Sequence, residues 1–198
     1  MDDIASLFNV RKNVLDMLSD RGFTVPVQLY CKDIYDFKIL YNSKKCDIQI
    51  DNESKKAYIK FILLNRIRPN LLREYINQIR QKIYNNDIEP SIIVIIKQKP
   101  NTTLLKLDKE FKNVQIFWLK QLTINITKHY LNPEFTKLDE TEVNEVITKF
   151  NLKNKYQLPV MLCDDPISRY FGLKVGDICK VTRNSPTNGE HISYRCIK

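Results

Sequence analysis

The chain has 198 residues, of which 43% are hydrophobic and 28% charged, enough for a real core and a soluble surface. Its five cysteines form no CxxC pair, and the longest apolar run, 92–96, is far short of the ~20 residues of a membrane span. A zinc site, a disulfide framework and a membrane span are therefore not expected, and charges throughout the first residues argue against a signal peptide.

The first 125 residues alternate between helical and strand patterns. Apolar residues at helical spacing predict helices over about 4–18, 27–37, 71–83 and 103–111. Alternating or β-branched segments predict strands at 47–50, 56–63, 91–97 and 114–119, the first two forming a hairpin. This order predicts a small α/β layer.

The pattern changes near residue 125, and irregular sequence over 126–133 predicts a domain boundary. Acidic residues at 139–142 predict the start of a helix that reaches Phe150. Asp165 followed by Pro166 predicts an N-cap and a first helical turn, and Gly172 predicts the end of that short helix. Strands are expected at 178–183 and 191–197, which divides the chain into domains 1–125 and 126–198.

The residues supply no recognisable catalytic or cofactor-binding set. The two histidines, His129 and His191, have no ligand partner at metal-binding spacing. The four glycines do not cluster, so no phosphate-cradling loop is predicted. We therefore expect no catalytic residue, no metal, no cofactor and no small-molecule ligand.

Two alternatives stay open at this point. In a metal-dependent nuclease Asp47, Asp51 or Glu53 would hold the ion. Such a site needs a second acidic residue two positions before Lys60, but Tyr58 stands there. The carboxylates are therefore more typical of a hairpin turn.

The other alternative is a free-standing nucleic-acid-binding module. The net charge is +9, and residues 1–125 carry 21 Lys and Arg against 14 Asp and Glu, which is compatible with backbone phosphate contacts or with an ordinary solvated face.

The C-terminal sequence resembles a known family. The segments that carry the resemblance are LPVM at 158–161, DDPISRYFGLKVGD at 164–177, VTRNSPTNG at 181–189 and YRC at 194–196. In this order they resemble the fifth subunit of eukaryotic-type RNA polymerases, shared by the three nuclear enzymes, and the archaeal counterpart of that subunit. A looser resemblance covers DRGF at 20–23 and the segment 117–133.

The resemblance implies a non-catalytic structural subunit with an α+β and α/β architecture. It implies a nuclease-like α/β jaw domain without an active site, lying near downstream duplex DNA, and a small mixed-sheet assembly domain that docks on the largest polymerase subunit. An N-terminal domain is absent from the archaeal form, so a eukaryote or a large DNA virus fits better. The expected location is the nucleus for a cellular protein, and the host cytoplasmic replication site or the virion for a viral one.

The resemblance also implies site residues. The candidate partner-binding residues are Pro159, Asp165, Pro166, Arg169, Tyr170, Gly172, Gly176, Arg183, Tyr194 and Arg195. The candidate DNA-proximal residues are Lys97, Lys99 and the loop positions Asn101, Thr102 and Thr103. Arginine and tyrosine are frequent at interface hot spots. The alternative is that Tyr170 and Tyr194 belong to the core and that Arg169 and Arg183 pair with neighbouring aspartates.

Overall fold

The computed structural model describes residues 2–52, 55–64, 66–83, 90–111, 113–185 and 189–198. The chain divides into two compact units, Met1–Ile124 and Asn125–Lys198, each with its own four-stranded sheet. The predicted mixed fold class is confirmed, because helices accompany a mixed sheet in both units. None of the described helices is both long enough and apolar enough to cross a membrane.

The N-terminal unit is an α/β layer. Its elements are α1 Asp2–Asp20, α2 Ile34–Asn42, β1 Ile48–Asp51, β2 Lys56–Ile62, α3 Pro69–Ile83, β3 Ser91–Ile96, α4 Thr102–Glu110 and β4 Val114–Trp118. The sheet order is β1-β2-β3-β4, with β1 antiparallel to β2 and the other pairs parallel. Every residue of β3 from Ile92 to Ile96 is buried, as expected for a strand inside a parallel sheet.

One predicted helix of this unit is wrong. The segment expected to be helical over 27–37 is a short 3₁₀ helix, Val27–Leu29, followed by α2, which begins only at Ile34. Tyr30 and Asp33 have extended backbone conformations between the two, which breaks the helical hydrogen-bond ladder. The hairpin between β1 and β2 is present, with Asp51 opposite Lys56, whereas Glu53 lies outside the described residues.

The C-terminal unit contains β5 Glu134–Lys137, α5 Glu140–Lys149, β6 Val160–Met161, α6 Pro166–Phe171, β7 Ile178–Ser185 and β8 Gly189–Ile197. The sheet order is β5-β7-β8-β6, in which β6 runs parallel to β8 and the other pairs are antiparallel. The two edge strands, β5 and β6, are short and were not predicted from the sequence. The buried apolar side chains of this unit form two small clusters, to which helices and loops contribute as well as strands.

The helix α5 begins as its sequence predicts. The side chain of Asp139 accepts a hydrogen bond from the backbone N–H of Glu142, and the Glu142 carboxylate accepts one from the N–H of Asp139. This reciprocal capping box satisfies two backbone donors that a helix start would otherwise leave unpaired. The hydrogen bond from the Glu142 N–H, followed by that from the Thr141 hydroxyl, lowers the pKa of Asp139.

Candidate partner-binding surfaces

The short helix α6 is fixed at both ends by the residues predicted to do so. Asp165 accepts a hydrogen bond from the Ile167 N–H at 2.9 Å, and Pro166 occupies the first turn. Gly172 ends the helix in the left-handed conformation, with φ at 64°. A six-residue helix is not stable alone, so these caps and the packing beneath it must hold it in place.

Three side chains of α6, those of Ile167, Ser168 and Tyr170, are buried in the unit. Tyr170 is only 4% exposed, and its hydroxyl accepts a hydrogen bond from the Asn125 amide at 3.3 Å. Ser168 is fully buried. This burial favours the alternative that Tyr170 belongs to the core, because its ring has almost no surface left to offer a partner. Its role as a partner-binding anchor stays a prediction. Pro166 is exposed and Arg169 half-buried, so these two remain candidates.

A tight corner precedes β7. Gly176 has φ at 91°, and the Lys155 ammonium donates to its carbonyl at 2.8 Å. A Cβ at this glycine would lie 2.9 Å from the Lys155 Nζ, so a larger residue would displace that lysine as well as strain the backbone. The neighbouring Asp177 accepts from the Lys137 ammonium at 2.6 Å. This corner shapes the surface and does not itself present an anchor.

The far ends of β7 and β8 carry another candidate. Arg183 is exposed opposite His191, and Asn184, Glu190 and Ile192 beside them are also exposed. Tyr194 and Arg195 lie nearer the core and are half-buried. The Tyr194 ring packs edge-on against Phe150 with centroids 5.7 Å apart. Of these residues Arg183 is thus the most accessible.

An apolar surface beside β6 was missed from the sequence. Val160 and Leu162 are 49% and 65% exposed, while Met161 between them is buried. Tyr156 and Val175 are also largely exposed. Their chain segments meet at Gly176, and the N–H of Gly176 donates a hydrogen bond to the carbonyl of Ile197 on β8. We call Tyr156, Val160, Leu162 and Val175, with the exposed Pro159, the β6 surface.

The backbone of this edge strand is also available on one side. Pro159 and Met161 accept hydrogen bonds from Cys196 and Lys198, so by strand alternation the N–H and C=O of Val160 face away from β8. An exposed edge with apolar side chains is a typical site for a partner to add a strand. The only sequence signal for this strand is the alternation of Val160, Met161 and Leu162 at the end of the LPVM segment. This stretch is too short to indicate a strand by itself.

The candidate DNA-proximal residues lie at the end of β3. Lys97 is half-buried, its carbonyl accepts from the Trp118 indole at 3.0 Å, and Lys99 is exposed. The resemblance implied a loop at Asn101, Thr102 and Thr103, while the helical pattern predicted a helix from 103. Asn101 precedes the helix and caps α4 by accepting from the Leu104 N–H at 3.0 Å, and both threonines lie in the first turn. All three are exposed.

The carboxylates considered for a nuclease site have other partners. Asp47 accepts hydrogen bonds from the Lys60 ammonium, from the Tyr58 hydroxyl at 3.3 Å and from the Phe61 N–H at 3.0 Å. Burial lowers the pKa of Lys60, but the hydrogen bond and charge of Asp47 outweigh it and raise that pKa. Asp51 pairs with Lys56 at the hairpin. In the described part of the chain no three His, Cys, Asp or Glu side chains come together as metal ligands.

Comparison with known proteins identifies the class of the C-terminal unit. Residues 124–197 match the family model of the RNA polymerase Rpb5 C-terminal domain, nearly the same span as the unit Asn125–Lys198.

Curated relatives extend the similarity to the whole chain. A subunit of RNA polymerases I, II and III, rpabc1 of Dictyostelium discoideum, is 29% identical with all of both chains covered. Subunit 5A of RNA polymerase V of Arabidopsis thaliana is 28% identical over 94% of this chain and 86% of its own, and RPABC1 of Caenorhabditis elegans is 28% identical over 96% and 95%. Together these matches support the interpretation of the chain as a fifth common subunit of eukaryotic-type RNA polymerases. Members of this family are non-catalytic subunits, so the prediction that the chain is not an enzyme is confirmed.

Proposed function

We propose that the chain is a structural subunit of a multisubunit DNA-directed RNA polymerase. In this proposal its C-terminal unit docks on the largest subunit, and its N-terminal unit contributes to the jaw around downstream DNA. The relatives described above are named as subunits of such polymerases. Because they are eukaryotic polymerase subunits, we propose a nuclear location for this chain if it is a cellular protein. The single observation that carries the docking role is that the unit matched by the family model presents an exposed, apolar strand edge.

The β6 surface suits a stable protein contact. Val160 and Leu162 are exposed apolar side chains at one edge strand, and Tyr156 and Val175 add exposed apolar surface at the corner near Gly176. Apolar side chains of this kind are typical of the centre of an interface. The outward backbone groups of Val160 can pair with an added strand, which gives register as well as affinity. Pro166 and the charged residues Arg169 and Arg183 are the candidates for the rest of the contact.

Docking is tested with the double variant Val160→Ser, Leu162→Ser. Because both side chains are substantially exposed, the isolated chain should keep its far-UV spectrum and lose no more than about 0.5 kcal/mol each. If a partner buries them, the loss of apolar burial is about 2–3 kcal/mol together, or 30- to 150-fold in affinity for the largest subunit.

The matched control is Val27→Ser, since that side chain is 80% exposed but belongs to the N-terminal unit. Affinity is measured by competition of each variant against the unmodified chain for assembly with the largest subunit. A folded double variant that competes as well as the control and the unmodified chain would remove the β6 surface from the proposal.

The proposed contact with DNA is supported by charge and helix geometry. Lys97, Lys99 and Lys120 follow the ends of β3 and β4, and the Lys120 ammonium lies 5.7 Å from the Trp118 ring centroid. The first turn of α4 directs its backbone N–H groups toward the same end, which favours a neighbouring phosphate. Such contacts position DNA without reading its sequence.

A further inference from the structure

A small pocket lies in the N-terminal unit, between α1 and the segment that leads to α2. Its volume is about 110 Å³, and it is lined by Phe8, Arg11, Lys12, Leu15, Tyr30, Cys31 and Lys32. Since one water molecule takes up ~30 Å³ of the liquid, the pocket has room for a few waters or for one small polyatomic ion. Three of the lining side chains are cationic.

Arg11 is the unusual member of this lining. It is only 4% exposed, although arginine is almost never fully buried without a partner. Its guanidinium donates to the Cys46 carbonyl at 2.8 Å and to the Leu29 carbonyl at 3.3 Å. Its Nε is buried without any acceptor, and among the described residues no carboxylate lies within ion-pair distance of the group.

The two carbonyls explain why Arg11 is held in place but do not compensate its charge. Each carbonyl is a neutral dipole, whereas a buried ion is stable only when it is paired or otherwise well solvated. A buried charge without a partner of opposite charge costs free energy of folding. The burial of Arg11 without a carboxylate among the described residues therefore points to a partner that binds from outside the chain. Lys12 and Lys32 add positive charge at the same pocket instead of offsetting it.

We propose that this pocket binds a small oxyanion of the phosphate class, with Arg11 at its base and Lys12 and Lys32 at its rim. A phosphate monoester or inorganic phosphate carries a charge near −1.5 to −2 at neutral pH, which matches three cations better than one carboxylate does. Its oxygens accept charge-assisted hydrogen bonds from guanidinium and ammonium groups. This proposal departs from the expectation from the sequence that the chain has no small-molecule ligand.

The rest of the lining limits what else can enter. Phe8 and Leu15 form an apolar wall, and the Tyr30 hydroxyl is engaged with Asp16 at 3.4 Å. The pocket therefore accommodates one anionic group but not a whole nucleotide. The phosphate group can come from free phosphate or from a phosphorylated side chain of a protein segment, which share the same recognition chemistry.

The test uses the full-length chain in a phosphate-free buffer at pH 7.5. Inorganic phosphate is titrated while the Arg side-chain Nε–Hε resonances are followed by NMR, with thermal unfolding as a second readout. A saturable shift of one buried Nε–Hε resonance and a phosphate-dependent rise in melting temperature are expected, with chloride at equal ionic strength having no such effect.

Variants locate the binding. Lys12→Gln and Lys32→Gln should each weaken phosphate binding about fivefold to tenfold, because each removes one charge at the rim. The matched control is Lys38→Gln, an exposed lysine of α2 that does not line the pocket. Arg11→Lys tests the base of the pocket only if it stays folded, so the exposed rim lysines carry the conclusion.

The source of the phosphate is separated by a further titration. A phosphoserine peptide that binds more tightly than phosphate, while its unphosphorylated form does not bind, supports a phosphorylated partner; equal or weaker binding supports free phosphate. Absence of a saturable response to phosphate overturns the proposal. An equal weakening by Lys38→Gln also overturns it, because binding would then depend on general charge and not on this pocket.

Discussion

Replacing Tyr170 separates support of the fold from contact with a partner. We expect Tyr170→Ala to destabilise the C-terminal unit strongly, because a buried aromatic ring is removed and a cavity remains under α6. Tyr170→Phe keeps the ring and loses only the hydroxyl that accepts from Asn125. Arg169→Ala, one position earlier and half-buried, removes a candidate contact with the partner.

The structure gives the size of each effect. Truncation of a buried aromatic residue costs about 3–5 kcal/mol, and loss of one neutral hydrogen bond about 0.5–1.5 kcal/mol. A unit of this length is expected to have a free energy of unfolding of about 4–11 kcal/mol. Tyr170→Ala therefore removes a large part of that stability, which corresponds to a fall in melting temperature of ~15 °C or more.

The measurements are urea unfolding of each isolated variant and its assembly with the largest subunit. Tyr170→Phe should unfold close to the unmodified chain and assemble normally. Arg169→Ala should unfold nearly normally and assemble less well. If Tyr170→Ala keeps its stability but loses assembly, the ring acts in the interface and the burial argument above is refuted.

Three further expectations concern the other elements. A truncate of residues 125–198 should unfold cooperatively, because this unit has its own sheet and core, and a non-cooperative transition would contradict two independent domains. Changing Lys97 and Lys99 to Glu in the assembled polymerase should weaken retention of downstream DNA at raised salt, with a salt slope smaller by roughly 0.9 per lost phosphate contact; an unchanged slope would assign both lysines to the solvated surface. The lowered pKa of Asp139 means that its charged form stabilises the native state. Its contribution is present above the unfolded value near 3.8 and is lost as pH falls through the lower native pKa, so Asp139→Asn should reduce the dependence of stability on pH there.

Local signals predicted the elements whose ends depend on nearby residues. The start of α5 follows from Asp139 and Glu142, which need only each other and the backbone between them. The helix α6 follows in the same way from Asp165, Pro166 and Gly172. These motifs are recognisable because the atoms that satisfy the helix ends lie within a few residues in the sequence.

The two short edge strands, β5 and β6, were not predicted, because only distant pairing makes them strands. The two residues of β6 are a strand only because β8 lies beside them, and the β8 residues that pair with them are more than thirty residues further along the chain. The helix expected over 27–37 had apolar residues at the right spacing, yet Asp33 takes the extended conformation that starts α2 anew. The pocket around Arg11 was equally hidden, since Cys46 and Leu29 approach this arginine only through the tertiary fold.

A docking role for α6 is compatible with the burial of its inner face, because docking and packing use different side chains of this short helix. Tyr170 and Ser168 face inward and hold the helix against the unit. Pro166 is exposed and Arg169 half-buried, and both keep their positions because the inward residues and the caps fix the backbone. A binding surface on so short a helix is rigid only if its inner face is packed, since the helix has little stability of its own. The burial of Tyr170 is thus the physical condition for a partner to meet Arg169 in one defined orientation.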